Sequence, residues 1–162
     1  MELPRADTSR TAWRAVSVIE VASAPAEVAQ WIGDPRRLND LTPGWFHLRV
    51  EAGLPADPIR ELRAGDVVRY SLRLGPVRMP WESVIETWDY AARFSYHQGR
   101  GPFKHFRHDH VLEPTTPGTR LTDVLEYAVP GGTPVHTALV LPMLKRIFAV
   151  RRWRLLEVLG AG

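Results

Sequence analysis

The strongest constraint on this chain is a series of short alternating segments, each closed by a turn signal, with one long amphipathic helix after them. In Phe46-His47-Leu48-Arg49-Val50 the even positions are apolar, and Val68-Arg69-Tyr70-Ser71-Leu72-Arg73-Leu74 alternates more cleanly still. Half-buried antiparallel strands have this pattern. Trp81-Glu82-Ser83-Val84-Ile85 follows Gly75-Pro76, and Phe94-Ser95-Tyr96-His97-Gln98 follows Asp89-Tyr90. Gly99-Arg100-Gly101-Pro102 turns the chain into a strand over 103–113, and Pro114-Thr115-Thr116-Pro117-Gly118 into one over 119–129. Turns at this spacing predict an antiparallel meander.

Ahead of the meander, residues 12–21 carry Val16, Val18, Ile19 and Val21 and read as a strand. Pro25 opens a helix over 26–32, where its missing amide is harmless, and Gly33 stops it. Asp34-Pro35 opens a second short helix over 36–40, ended by Thr42-Pro43-Gly44. After the meander, Pro130-Gly131-Gly132 ends the sheet, and Thr133 is expected to cap a helix with Pro134 at its first position. Leu139, Val140, Met143, Leu144, Ile147, Phe148, Leu155 and Leu156 recur there at helical spacing. Lys145, Arg146, Arg151, Arg152 and Arg154 read as its solvated face, and Pro142 is expected to kink it. The expected fold is α+β: a curved antiparallel sheet of about seven strands, two short helices after the first, and the long C-terminal helix across the concave face. A sheet curled around one helix leaves space between them. Residues 1–11 read as a loose polar segment and 12–160 as one domain.

With 162 residues, 44% hydrophobic and 24% charged, the chain can bury a core without metal or disulfide help. It has no cysteine, which excludes thiol nucleophiles, disulfides and thiolate-bound metals and fits a reducing cytoplasm. Met1-Glu2-Leu3-Pro4-Arg5-Ala6-Asp7 does not read as a secretory signal. The most apolar run, 138–144, is too short to span a bilayer and contains Pro142, so a cytoplasmic location is expected. The pI is 9.7, but the net charge is only +3 and the arginines are interspersed with acids, so nucleic acid is not an expected partner.

A set of motifs resembles the START-like, or SRPBCC, superfamily, in particular small bacterial members related to polyketide cyclase/dehydrase domains. They are Leu41-Thr42-Pro43, Trp81-x-Ser83-x-Ile85, Phe94-x-x-x-Gln98-x-x-Gly101-Pro102-Phe103 and His108-x-His110. Thr119-x-Leu121-x-Asp123-x-Leu125-x-Tyr127-x-x-Pro130 and Ile147-Phe148-x-x-Arg151 complete the set, which covers about 13–159. Phe106 departs from it, standing where members of the group commonly carry tryptophan. The resemblance implies a helix-grip fold and an internal cavity for a small hydrophobic ligand, lipid-, sterol- or polyketide-like. It does not imply a reaction, because the fold hosts carriers and cyclases alike.

Strand parity sorts the polar candidates. If Phe106 faces the cavity, so do His108 and His110, while His105, Arg107 and Asp109 point away. The turn near Thr116-Pro117 then sets His110 opposite Asp123 and Phe106 opposite Tyr127. Gln98, His108, His110 and Asp123 are expected to form one polar patch, with Tyr96 beside it. Tyr70, Trp81, Met143 and Ile147 join these as candidate ligand-binding residues. The patch can be a self-satisfied network, can orient the polar end of a ligand, or can supply acid–base catalysis through His108 or His110 with Asp123. Two histidines and Asp123 also make a possible metal set, but His105 falls on the wrong face and no metal is expected. Gly99-x-Gly101 lacks a third glycine and reads as a turn, and no Gly-x-Ser-x-Gly elbow occurs, so no cofactor is expected. Trp45, Trp81, Trp88 and Trp153 read as core or edge packing, with Trp81 the best placed to line a pocket. The expected partner is a small apolar molecule, bound by a monomer or homodimer.

Overall fold

Alternation along the first strand, β1 (Trp13–Val21), sets which face goes inward: Trp13, Ala15, Ser17, Ile19 and Val21 are buried and the residues between them face outward. The computed structural model describes residues 12–160, and the N-terminal stretch 1–11, expected to be loose, lies outside them. β1 is followed by β2 (Phe46–Ala52), β3 (Val67–Leu74), β4 (Val77–Asp89), β5 (Arg93–Arg100), β6 (His105–Pro114) and β7 (Thr119–Ala128). The seven form one antiparallel sheet in the order β1-β7-β6-β5-β4-β3-β2. This is a meander whose last strand returns to pair with the first. β4 is longer than the five residues its sequence pattern marks, because bulges against β5 at Glu82/Ser83 and Ile85/Thr87 let it bend and continue.

Between β1 and β2 lie α1 (Pro25–Ile32) and a 3₁₀ helix (Pro35–Leu41), as the proline and glycine signals predict. The Glu27 carboxylate accepts from the Ala24 amide at 3.2 Å, and Asp34 accepts from the Arg36 amide at 3.0 Å, satisfying free helix-start donors. Asn39 on the 3₁₀ helix closes the outer edge of the sheet. Its amide donates to the Leu48 carbonyl at 2.8 Å and accepts from the Leu48 N–H at 2.9 Å, imitating a neighbouring strand. A one-turn helix absent from the sequence reading, α2 (Pro58–Glu61), interrupts the β2–β3 connection. Trp88 Nε1 pins it by donating to the Ile59 carbonyl at 2.8 Å.

The C-terminal helical run starts earlier than expected. Gly131, at φ 84°, provides the left-handed turn, and α3 (Gly132–Val135) begins before Thr133 could act as its cap. The disruption expected at Pro142 takes the form of a π turn (His136–Val140) just before α4 (Leu141–Leu159). The Leu141 amide reaches back to the His136 carbonyl, so the helix has already widened where Pro142 offers no donor. The extra residue in that turn shifts the helical phase and leaves Leu139, assigned to the buried stripe, 66% exposed. His136 anchors the turn: its ring stacks on Trp13 at 4.0 Å, and Nε2 meets the Tyr127 hydroxyl at 3.0 Å. At its far end α4 is held by the Ser23 hydroxyl on the Leu159 carbonyl, at 3.1 Å, and by the Ala22 amide on the Gly160 carbonyl, at 3.2 Å.

The buried stripe of α4 is Leu144, Phe148, Arg151, Leu155 and Leu159. Leu155 and Leu159 join Ile19, Val21, Phe94 and Leu121 at one end of the grip. Leu144 and Phe148 join Trp13, Leu125 and Tyr127 at the other. A third cluster, around Val68, Tyr70, Leu72 and Trp81, lies on the far strands and meets the first two only through partly buried Trp88, Phe103 and Phe106 among the described residues. Trp153, assigned to packing, is 56% exposed on the outer face of α4, where the Arg154 guanidinium covers its ring at 4.4 Å. Leu155→Ala, at a fully buried position, is expected to lower unfolding free energy by about 2–5 kcal/mol in urea titrations with little change in m-value.

Candidate functional site

The concave face does not close onto α4 along its whole width. A cavity of about 430 Å³ remains between β2–β7, α4, the π turn and the 3₁₀ helix, with walls contributed mainly by apolar side chains such as Leu38, Leu72, Phe103 and Leu125. Of the residues singled out from sequence, Tyr70, Trp81, Tyr96, Phe106, His108, Met143 and Ile147 lie on its wall. Trp81 stands edge-on to Phe106 at 4.9 Å and Phe103 at 6.0 Å, and its indole N–H donates to Ser83 Oγ at 3.0 Å.

Gln98, His110, Asp123 and Tyr127 are not on that wall. Gln98 is not part of the polar patch. The β5–β6 ladder ends at His97↔Arg107, and beyond it the Gln98 amide donates to the Phe103 carbonyl at 2.9 Å and accepts the Phe103 N–H at 3.2 Å. It clamps the loop that carries Phe103 to the cavity. Gly101 permits the clamp, since a Cβ there would lie 2.3 Å from Gln98 Oε1. Tyr127 is wholly buried, with its hydroxyl engaged by His136.

The remaining polar groups converge as strand parity predicts. His110 pairs with Asp123 and Phe106 with Tyr127 in an unbroken β6–β7 register, and Tyr96 pairs with His108 across β5–β6. His110 Nδ1 bonds directly to Asp123 Oδ1. His108 Nε2 lies 3.5 Å from the same oxygen, and its Nδ1 is 3.1 Å from the Tyr96 hydroxyl. With a proton on Nε2 facing the carboxylate, Nδ1 is an acceptor, so Tyr96 O–H donates to it.

The sequence reading placed Arg151 on the solvated face, but it is buried in this cluster, with Nη1 4.0 Å from Asp123 Oδ2. Its signal was present in the spacing: Arg151 stands three residues after Phe148 and four before Leu155, in the middle of the buried stripe. His108 Nε2, Asp123 Oδ2 and Arg151 Nε are buried and make no hydrogen bond to any described residue. Full self-satisfaction of the patch therefore does not hold.

Burial opposes the charge on Asp123, but Arg151 and the two histidines together outweigh it and hold the carboxyl well below its ordinary range. Burial pushes both histidines the other way: His108 is lowered, and His110, with His108 as a second cause, falls to about 3. Burial raises Tyr96 to about 12. At neutral pH the cluster is thus one carboxylate, one guanidinium, two neutral imidazoles and a neutral phenol. His108, His110 and Asp123 each offer a metal-ligating atom within a 4.8 Å span. The fit is poor, because Asp123 Oδ1 is engaged by His110 and a divalent ion would sit beside a buried guanidinium.

An unfolded chain protonates its histidines below about pH 6.5, whereas the buried pair stays neutral to lower pH. The unfolded state then binds more protons, so stability is expected to fall as pH drops from about 6.5 towards 4, and to fall further as Asp123 is protonated. Urea unfolding at pH 7.5, 6 and 5 tests this. His110→Asn keeps a donor for Asp123 but does not titrate, and is expected to flatten the slope.

The comparisons fit this architecture. Solved structures similar to the chain include a START superfamily protein from Mycobacterium smegmatis, at 13% identity and TM-score 0.66, covering 90% of this chain and 98% of that one. The Zhui aromatase/cyclase from Streptomyces sp. R1128 aligns at 13% identity and TM-score 0.67, covering 91% and 93%. A protein from Arthrobacter aurescens aligns at 13% identity and TM-score 0.69, covering 95% and 91%. At these identities the likeness shows the fold, the START-like helix grip. No curated protein sequence matches the chain significantly. The family profile described as polyketide cyclase/dehydrase and lipid transport matches residues 21–156, and the chain belongs to that family.

Proposed function

We propose that this protein binds a small hydrophobic molecule, lipid-, sterol- or polyketide-like, in the cavity between the sheet and α4, and does so in the cytoplasm. The observation that carries this reading is the combination of an apolar cavity of about 430 Å³ with one polar corner, Tyr96, His108 and Arg151, on its wall. Ligand pockets have this design: apolar walls supply affinity and a few polar groups fix orientation. Phe103, Phe106 and Trp81 form an aromatic wall against which a ring or chain can pack.

A second reading is supported by one specific arrangement. Tyr96, His108 and Asp123 stand in series, phenol to imidazole at 3.1 Å and imidazole to carboxylate at 3.5 Å, with the phenol at the cavity wall. In this reading Tyr96 gives its own proton to His108 Nδ1 as it takes one from a bound molecule, leaving a neutral phenol and an imidazolium facing Asp123, which is the acid–base step of a cyclase- or dehydratase-like enzyme. His110 lies behind, off the wall, and in this reading positions Asp123.

Native mass spectrometry of gently purified protein and thermal shifts across lipids, sterols and aromatic polyketides test the binding reading. A ligand at one hundred times its Kd is expected to raise Tm by about 5–10 °C. Ile147→Trp, which fills the cavity from α4, is expected to abolish that shift while leaving the circular dichroism spectrum unchanged. A native protein stabilised by none of these compounds overturns the reading. For the enzymatic reading, His108→Ala must abolish turnover of a bound substrate, and unchanged turnover removes it.

A further inference from the structure

The charge state of the polar corner bears on which head group the cavity accepts. Asp123 and Arg151 face one another 4.0 Å apart, too far for a hydrogen bond but close enough for the two charges to cancel at the cavity wall. His108 and Tyr96 complete the corner, and among the described residues Arg151 is the one cation on the cavity wall. Arg151 lines the cavity, has an unpartnered Nε, and offers only donors. Asp123 lies behind the wall, so its carboxylate is not offered to a ligand as an acceptor. The Tyr96 hydroxyl proton is given to His108, so the corner presents the N–H donors of Arg151 with no net charge.

We infer that the cavity selects an apolar molecule with a neutral oxygen acceptor, such as an amide, ketone or hydroxyl, and discriminates against a carboxylate. A neutral acceptor takes an Arg151 N–H without disturbing the Asp123–Arg151 pair. A carboxylate would make Asp123 and the ligand compete for one guanidinium, leaving a second anion in a site where the described residues supply no further cation. A lone buried arginine would select the opposite way, and the discrimination therefore lies in Asp123, which the ligand does not touch.

The inference rests on the reading of the cavity as a ligand site, and the test separates the two. Decanamide and decanoate have the same chain length and a similar planar head but differ by one charge. Calorimetry at pH 7.5 with the native protein is expected to show decanamide binding the tighter. In Asp123→Asn, where Arg151 has lost its partner, the decanoate-to-decanamide affinity ratio is expected to rise by about tenfold or more. Comparing ratios removes the intrinsic difference in hydration between the two probes. The double variant Asp123→Leu/Arg151→Met, which replaces the pair by apolar groups, serves if Asp123→Asn does not fold. It is expected to lose about tenfold in decanamide affinity with little change for decanoate. Decanoate binding the native protein at least as tightly as decanamide overturns the head-group inference, as does an unchanged ratio in Asp123→Asn or unchanged decanamide affinity in the double variant. Failure of both probes to bind the native protein instead removes the ligand-site reading beneath it.

Discussion

Asp123 and Arg151 meet in the middle of the grip, one from the strand that closes the sheet and the other from the helix laid across it. On β7 the inward series runs Leu121, Asp123, Leu125, and on α4 it runs Phe148, Arg151, Leu155. Apolar contacts on either side let α4 slide or turn at modest loss, since one aliphatic contact resembles the next. A buried pair of opposite charges does not: a shift by one helical position would leave both charges uncompensated, which costs several kcal/mol. The pair thus fixes where α4 lies along the sheet. That placement determines how wide the cavity stays and which side chains line it.

The same pair explains why the core is divided. A continuous apolar interior would close the two ends of the grip onto one another, whereas here the clusters at its ends are separated by the His108, His110, Asp123 and Arg151 group. The third cluster lies beyond the cavity on β3 and β4. Space is held open by rigid boundaries: the Gln98 clamp on the Phe103 loop, the Trp13–His136 stack beneath the π turn, and the Asn39 contact on the β2 edge. The first and third use polar groups of local origin, while the stack joins residues far apart in sequence, and each holds an apolar wall in place.

The site also shows how a shared fold acquires a particular chemistry. Both readings of function use the same wall and differ in which group acts on the bound molecule. For a carrier, the N–H donors of Arg151 suffice. For an enzyme, the series Tyr96, His108 and Asp123 must move a proton. Keeping both imidazoles neutral while Asp123 stays charged suits either role. Such a histidine can accept a proton, and the ion pair behind it remains intact.

Much of this was legible in the sequence because strand parity is local. A side chain two residues along a strand faces the same way, so His108, His110 and Asp123 could be placed on the inner face, and the Thr116-Pro117 turn gave their register. The same reasoning carried Gln98 too far, because it assumed that the β5–β6 ladder runs on past His97, where a loop claims the amide instead. Arg151 was read by its charge and not by its place in the helical stripe. Residue type argued for solvent, and only an acid on a strand far away in sequence makes burial of that cation affordable. The meander, the two short helices and the long C-terminal helix were determined by the sequence alone, since period, proline and glycine act within a few residues. The cavity, its polar corner and the phase of the helix across it were decided by tertiary packing, because desolvation and charge pairing depend on which distant groups the fold brings together.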